Sequence, residues 1–262
     1  MDLGLKDKVA LVMAASKGLG RASAQALAAE GARVAICARS DALETTAEAI
    51  RVETGAEVLA VRADVTMQKD ITSVVEATLA ELGQIDILVI NAGGPPPGPF
   101  LSLKPQDWEA GVQLTFMSAV RVCYAVVPHM VERGTGSIVA IESVSIKQPA
   151  DNLILSNSIR LAVIGLLKSM ANELGPNGIR VNSVNPTFTY TDRIEQLLRN
   201  SMAEKGTSME EEIEQAGASI PLRRFGTVEE FGRTVAWLAS PAASFIHGHA
   251  LMFDGGVTSS PL

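Results

Sequence analysis

The chain is 262 residues long and carries 29 acidic against 22 basic side chains, a formal net charge of −7. That balance excludes nonspecific nucleic-acid binding and disfavours adsorption to membrane surfaces, because neutralising phosphates needs a basic face. Its two cysteines, Cys37 and Cys123, lie in apolar runs and cannot form a disulfide framework, so a reduced, cytoplasmic setting is expected.

Seven short apolar runs are predicted strands: Val9–Met13, Arg33–Cys37, Glu57–Val61, Ile85–Ile90, Ser137–Ile141, Arg180–Val184 and Ala250–Phe253. Their near-continuous apolar character is that of strands covered on both faces. Between them, Leu19–Ala29, Ile71–Leu82 and Val163–Leu174 carry helical spacing. The alternation predicts one doubly wound α/β domain over residues 1–262, a parallel sheet with helices on both faces and right-handed crossovers. The N-terminal MDLGLKDKVALV has no signal-peptide pattern, and no apolar run approaches the roughly 20 residues that span a bilayer. The positive mean hydropathy therefore reads as a large buried core. PPPGP at Pro95–Pro99 is a rigid loop after a predicted strand. Residues 190–225 form an irregular insertion, a candidate cover for a ligand, with Glu210–Glu214 as a solvated helix face.

The first strand runs into Ala14-Ala15-Ser16-Lys17-Gly18-Leu19-Gly20 and then a helix. A glycine-rich turn there lets backbone approach a pyrophosphate, and the helix N-terminus offers N–H groups to it. The turn resembles the TGxxxGxG loop of the short-chain dehydrogenase/reductase family. So do Asp64-Val65, Asn91-Ala92-Gly93, Asn185–Thr191, Pro221–Ser240 and the late Phe253–Gly256, in order and over nearly the whole chain. Two positions depart: Ala14 replaces the first loop glycine and Met13 the threonine before it. A methyl at Ala14 is expected to shift the backbone or the pyrophosphate and weaken binding. The second strand ends in Arg39, where an acidic residue would hold a ribose 2′-hydroxyl; Arg39 and Lys17 can instead clamp a 2′-phosphate. The resemblance therefore implies NADP(H). It places Ser16, Gly18, Leu19 and Gly20 on the pyrophosphate, and Asp64 and Val65 on the adenine. Asn91, Ala92 and Gly93 would run along the cofactor, with Pro186 and Thr191 beside the nicotinamide.

Family members reduce carbonyls with an Asn, Ser, Tyr and Lys set. A phenol drawn below its usual pKa of about 10 supplies the proton that the nascent alkoxide needs. Alignment on Val163–Gly175 puts the serine on Ser143, the tyrosine on Ser156, the lysine on Arg160 and the asparagine on Gln113. Both tyrosines lack the pattern: Pro128 lies four residues past Tyr124, and Ile194 four past Tyr190. Arg160 can hold ribose hydroxyls but cannot shuttle protons. Candidate replacements are Lys147, as an acid or anion clamp, Tyr190, and the polar pair Asn157 and Ser158; an exposed lysine, a lid aromatic and first-turn helix chemistry are their respective alternatives. The three histidines, His129, His247 and His249, form no metal site. Three functions stand open: an NADP(H)-dependent carbonyl/alcohol oxidoreductase with an altered proton donor, resembling 3-oxoacyl-carrier-protein reductases; a lyase or isomerase; and a nucleotide sensor or scaffold. The expected partner is a small-molecule substrate, with no nucleic acid or membrane; the resemblance further implies copies of the chain, as tetramer or dimer through helices in residues 106–132 and 151–174, with the last strand forming a second contact.

Overall fold

Successive residues of the central strands are buried in opposite cores. In the computed structural model, which describes residues 2–260, Ala10, Val12, Val34, Ile36, Ile87, Val89, Val139 and Ile141 face one core. Their neighbours Leu11, Ala35, Cys37, Leu88, Ile90, Ile138 and Ala140 face the other. This is the period of two read in three dimensions, and it explains why the strand runs carry almost no polar residue.

The strands are β1 (Val9–Val12), β2 (Arg33–Ala38), β3 (Val58–Arg62), β4 (Ile87–Ile90), β5 (Gly136–Ile141), β6 (Ile179–Pro186) and β7 (Ala250–Phe253). They form one sheet in the order β3-β2-β1-β4-β5-β6-β7, with every pair parallel. Helices α1 (Gly18–Ala29), α2 (Ala42–Thr54) and α9 (Val228–Ala239) bury Leu27, Ile50, Phe231 and Val235 in the first core. Helices α3 (Gln68–Leu82), α5 (Ser118–Arg133) and α6 (Ile154–Leu174) bury Ile71, Val126, Val163 and Leu167 in the second. Helix α4 (Pro105–Gly111) runs into α5 through a π-helical stretch, Val112–Met117. Helices α7 (Asp192–Lys205) and α8 (Met209–Ala218) fill the insertion, whose base is closed where Tyr190 N–H donates to Gly226 O and Gly226 N–H to Phe188 O.

Two expectations are corrected. Helices Pro105–Arg133 and Ile154–Asn177 are long and apolar enough, by length and composition, to cross a membrane. Their side chains Ala119, Val122, Met130, Leu167 and Ala171 are instead buried in the domain's own core. The Glu210–Glu214 run is not a uniformly solvated face: Glu212 is buried, held by Lys205 Nζ at 3.3 Å and Thr207 Oγ1 at 2.7 Å, and Glu211 closes a capping box with Ser208. Helix α6, Ile154–Leu174, lies within the expected 151–174, with the polar LSNS stretch in its first turn.

Helix α9 lies directly on α1 at Gly232, where a Cβ would stand 2.3 Å from Ala22 O. Backbone cannot yield as a side-chain tip can. Gly232→Ala is therefore expected to lose about 1–3 kcal/mol by overpacking, outrunning the ~1 kcal/mol that alanine gains in a helix. A drop in thermal midpoint checks this; an unchanged midpoint contradicts the packing described.

Candidate active site

Strand β1 leads to β2 and β3 on one side of the sheet, and the chain then crosses to β4 on the other. The crevice at the carboxyl ends of β1 and β4 is where such sheets hold ligands. A cleft of about 1030 Å³ lies there. Its floor is Ala14, Ser16, Lys17, Gly18, Leu19 and Gly20; Arg39 and Ser40 stand at one end, and Leu114, Glu142, Arg160 and Thr191 at the other. Val65, Asn91, Ala92 and Gly93 line it between them.

The glycine loop is built for close approach. At Gly20 a Cβ would meet Asn91 Nδ2 at 2.6 Å and Ala14 O at 2.7 Å, while Asn91 Nδ2 itself donates to Ala14 O at 3.0 Å. Thr46 Oγ1 braces the loop through Ser16 O at 2.8 Å. Lys17 precedes α1 in extended conformation and places no side-chain cap on it, so the first N–H groups of α1 open toward the cleft. Ala14 takes the strain expected of it by adopting φ +49°. A left-handed alanine costs about 1–2 kcal/mol. Ala14→Gly is thus expected to gain up to about 1 kcal/mol in urea unfolding once glycine's larger unfolded-state entropy is subtracted. No gain would mean that the loop carries no strain.

At the far end of the floor Arg39, 72% exposed, rests its Nη1 3.4 Å from Asp64 Oδ2. Burial works to raise the Asp64 carboxyl. The N–H and hydroxyl of Thr66 on Oδ1, with the Arg39 charge, outweigh it and hold the group below its ordinary range. Asp64 itself is not among the cleft's lining residues, although Ala63 and Val65 on either side of it are.

The opposite end holds a hydrogen-bonded chain. Arg160 Nη1 pairs with Glu142 Oε2 at 3.1 Å; its Nε donates to Ser156 Oγ at 3.2 Å; and Ser156 Oγ lies 3.3 Å from Ser145 Oγ. The pair is deep, with the side chains of Arg160 and Glu142 11% and 3% exposed. Burial pushes the Glu142 carboxyl up, Arg160 draws it partly back, and it comes to rest at about 7. Neither Glu142 nor Ser145 figures among the sequence-level candidates. The available signal was an acidic residue closing the apolar strand SIVAIE.

Several candidates stand elsewhere. Gln113 is exposed and bonded to Arg121 Nη2 at 2.5 Å; the inward residues of that stretch are Leu114, in the cleft lining, and Thr115, buried with its Oγ1 unpartnered among the described residues. The π-helical path explains the miss, since it rotates side chains away from 3.6-residue spacing. Ser143 accepts the N–H of Ser145 at 3.2 Å, capping the turn after β5, and does not line the cleft. Lys147 is exposed outside it, and Pro186 is buried at the end of β6. Tyr190 packs edge-on against Phe225 at 6.1 Å and does not line the cleft. Asn157 bridges both backbone groups of Ala150, at 2.9 and 3.2 Å, and Ser158 is exposed, so neither joins the cleft. Thr191 does line it and caps α7 through Ile194 N–H. No cluster of metal-ligating side chains occurs among the described residues.

Residues 13–258 match the family model described as enoyl-(acyl carrier protein) reductase. The chain belongs to the short-chain dehydrogenase/reductase family. It is 34% identical over 257 residues to the 3-oxoacyl-[acyl-carrier-protein] reductase of Escherichia coli, covering 97% of this chain and 99% of that one. Among solved structures it is similar to L-sorbose reductase from Gluconobacter frateurii, in complex with NADPH and L-sorbose: TM-score 0.96, 30% identity, 99% and 100% of the two chains. It is also similar to a short-chain oxidoreductase of Pseudomonas aeruginosa PAO1 described as containing an atypical catalytic center. That apo structure gives a TM-score of 0.92 at 29% identity, over 98% and 99% of the chains. Membership makes this chain an oxidoreductase-family protein with a site for a nicotinamide dinucleotide.

Proposed function

We propose that the protein is an NADP(H)-dependent reductase that converts a small carbonyl compound to its alcohol with an altered proton-handling set. The observation that carries the reading is the pair of exposed cations, Lys17 on the floor and Arg39 at one end, of a cleft floored by close-approach backbone. The residues present fit the cofactor. The α1 N-terminus and the Gly18–Gly20 backbone suit a pyrophosphate, and Lys17 and Arg39 suit the 2′-phosphate beyond it. Arg160 and Thr191 would stand at the nicotinamide end. When bound, NADPH supplies the hydride; the chain's task is to hold the carbonyl and bring its oxygen a proton. Helices α7 and α8, rooted at the Thr189–Gly226 contact, would cover the substrate and exclude water.

NADPH titration by calorimetry, followed by nicotinamide absorbance with a 3-oxoacyl thioester and L-sorbose, tests the reading. Tight NADPH binding without consumption by any carbonyl counts against it. That result would select a second reading, a nucleotide-binding sensor, which the burial of Ser156 and the engagement of Ser143 in its own turn favour. The setting we propose is cytoplasmic, consistent with two buried thiols whose pKa values burial raises to about 11 at Cys37 and about 12 at Cys123. Exposed Tyr124, Val131 and Leu161 on α5 and α6 suit contact between copies of the chain, and sedimentation velocity checks for a dimer or tetramer.

A further inference from the structure

The site contains an acid that the family resemblance does not assign. Glu142, Arg160, Ser156 and Ser145 form one hydrogen-bonded chain at the end of the cleft opposite Arg39. Of its members only Glu142 and Arg160 are in the cleft lining; Ser156, at the position the resemblance gives to tyrosine, is buried behind them. A serine hydroxyl has no phenol ring to spread the anion, and a guanidinium keeps its proton at every working pH. That leaves one group able both to reach the cleft and to release a proton under neutral conditions. We propose that Glu142 is the acid of this site: its carboxyl gives the proton to the substrate oxygen, and Arg160 steadies the carboxylate that remains.

The step, which rests on the reductase reading above, balances. NADPH would be the reductant, supplying the hydride of the new C–H bond, while the π pair of the carbonyl would become an oxygen lone pair. The O–H bond of protonated Glu142 breaks as the O–H bond of the product alcohol forms. Glu142 is left ionised against Arg160 Nη1 at 3.1 Å and recovers its proton from solvent after product leaves. Arg160 engages Oε2, and among the described residues no hydrogen bond is formed to Oε1. Burial supplies the remaining requirement by holding the carboxyl protonated to about pH 7, near the working pH at which general acids are most effective. Arg160, from α6, is the charged side chain in contact with Glu142 among the described residues. The turn after β5 presents Ser145; β6, alongside, takes the Glu142 N–H at Val184 O; β4 ends toward Asn91; and Lys147 is exposed beyond the turn. Ser156 acts as a positioning residue, fixing the Arg160 fork through Nε.

Wild type, Glu142→Gln and Glu142→Asp are compared with NADPH and the two carbonyl probes, and carboxyl infrared difference spectra are recorded without cofactor. Glu142→Gln is expected to lower kcat by about 10²–10⁴-fold and to abolish its fall above pH 7, with NADPH affinity within about threefold of wild type. Glu142→Asp should retain a falling alkaline limb at reduced kcat, which a merely structural ion pair would not produce. The wild-type minus Glu142→Gln spectrum should show one protonated carboxyl that disappears near pH 7. Wild-type turnover with Glu142→Gln at a comparable rate, or a carboxyl already ionised at pH 5, overturns this proposal and leaves the reductase reading intact. Absence of wild-type turnover with NADPH bound overturns the reductase reading, and the proposal with it. Should Glu142→Gln not fold, the Glu142→Asp limb and the wild-type spectrum decide.

Discussion

The largest change in binding is expected from Arg39→Glu, which should weaken NADPH by about 100-fold or more while leaving NADH within about tenfold. A charge-assisted contact to a phosphate is worth about 1.5–3 kcal/mol, so loss of the guanidinium alone gives about tenfold to a hundredfold. The new carboxylate adds repulsion against the 2′-phosphate and against Asp64, the present neighbour of Arg39 at 3.4 Å. Because Arg39 is 72% exposed, the effect should shrink as ionic strength rises, and Lys17 should carry a larger share of what remains. Folding is a separate matter. An exposed ion pair contributes about 0–1 kcal/mol at most, so the thermal midpoint of the cofactor-free variant should barely move. Calorimetric titration with both dinucleotides at low and high salt measures all of this. Wild-type NADPH affinity in Arg39→Glu would remove the basis for the NADP(H) assignment.

The sheet was legible because its signal is redundant. Each central strand must be apolar on both faces, and two cores, read through alternate residues such as Leu11 and Val12, leave no room for polar interruptions. The structure brings the glycine loop, Arg39 and Asn91 into one cleft, as their places at successive strand ends lead one to expect. The opposite end of the cleft was legible only in part. Gln113 looked right by register, but the π-helical turn at Val112–Met117 carries it to solvent and turns Leu114 and Thr115 inward. Ser143 looked right by position, yet its hydroxyl serves the turn that follows β5. Glu142 escaped notice because one-dimensional reading treats an acidic residue after a strand as a solvated loop. Its ion-pair partner, Arg160, is eighteen residues away in sequence but 3.1 Å away in space. Long-range pairing of this kind leaves no local pattern to read.

The same carboxyl makes the fold's stability depend on pH in an unusual direction. The Glu142 pKa rises from an ordinary 4.5 in the unfolded chain to about 7 in the folded one. Between those values the native state holds a proton that the unfolded state has lost, so stability falls as pH rises. The contribution is fully present below about 4.5 and gone above about 7; at 1.36 kcal/mol per unit, the whole change is about 3 kcal/mol. Glutamine carries no titrating proton. The difference in unfolding free energy between wild type and Glu142→Gln should therefore be small near pH 4.5 and grow to about 3 kcal/mol in favour of the variant by pH 8. The sign runs against the intuition that removing half of a buried ion pair must destabilise. It follows because desolvation of the carboxylate exceeds what Arg160 returns, which is the ordinary balance for a buried pair. Urea unfolding of both proteins, cofactor-free, at several pH values measures the difference directly. A difference that stayed constant, or that turned toward wild type at alkaline pH, would mean that the carboxylate is already well solvated or fully compensated. Glu142 would then be ionised across the neutral range and could hold no proton for the substrate.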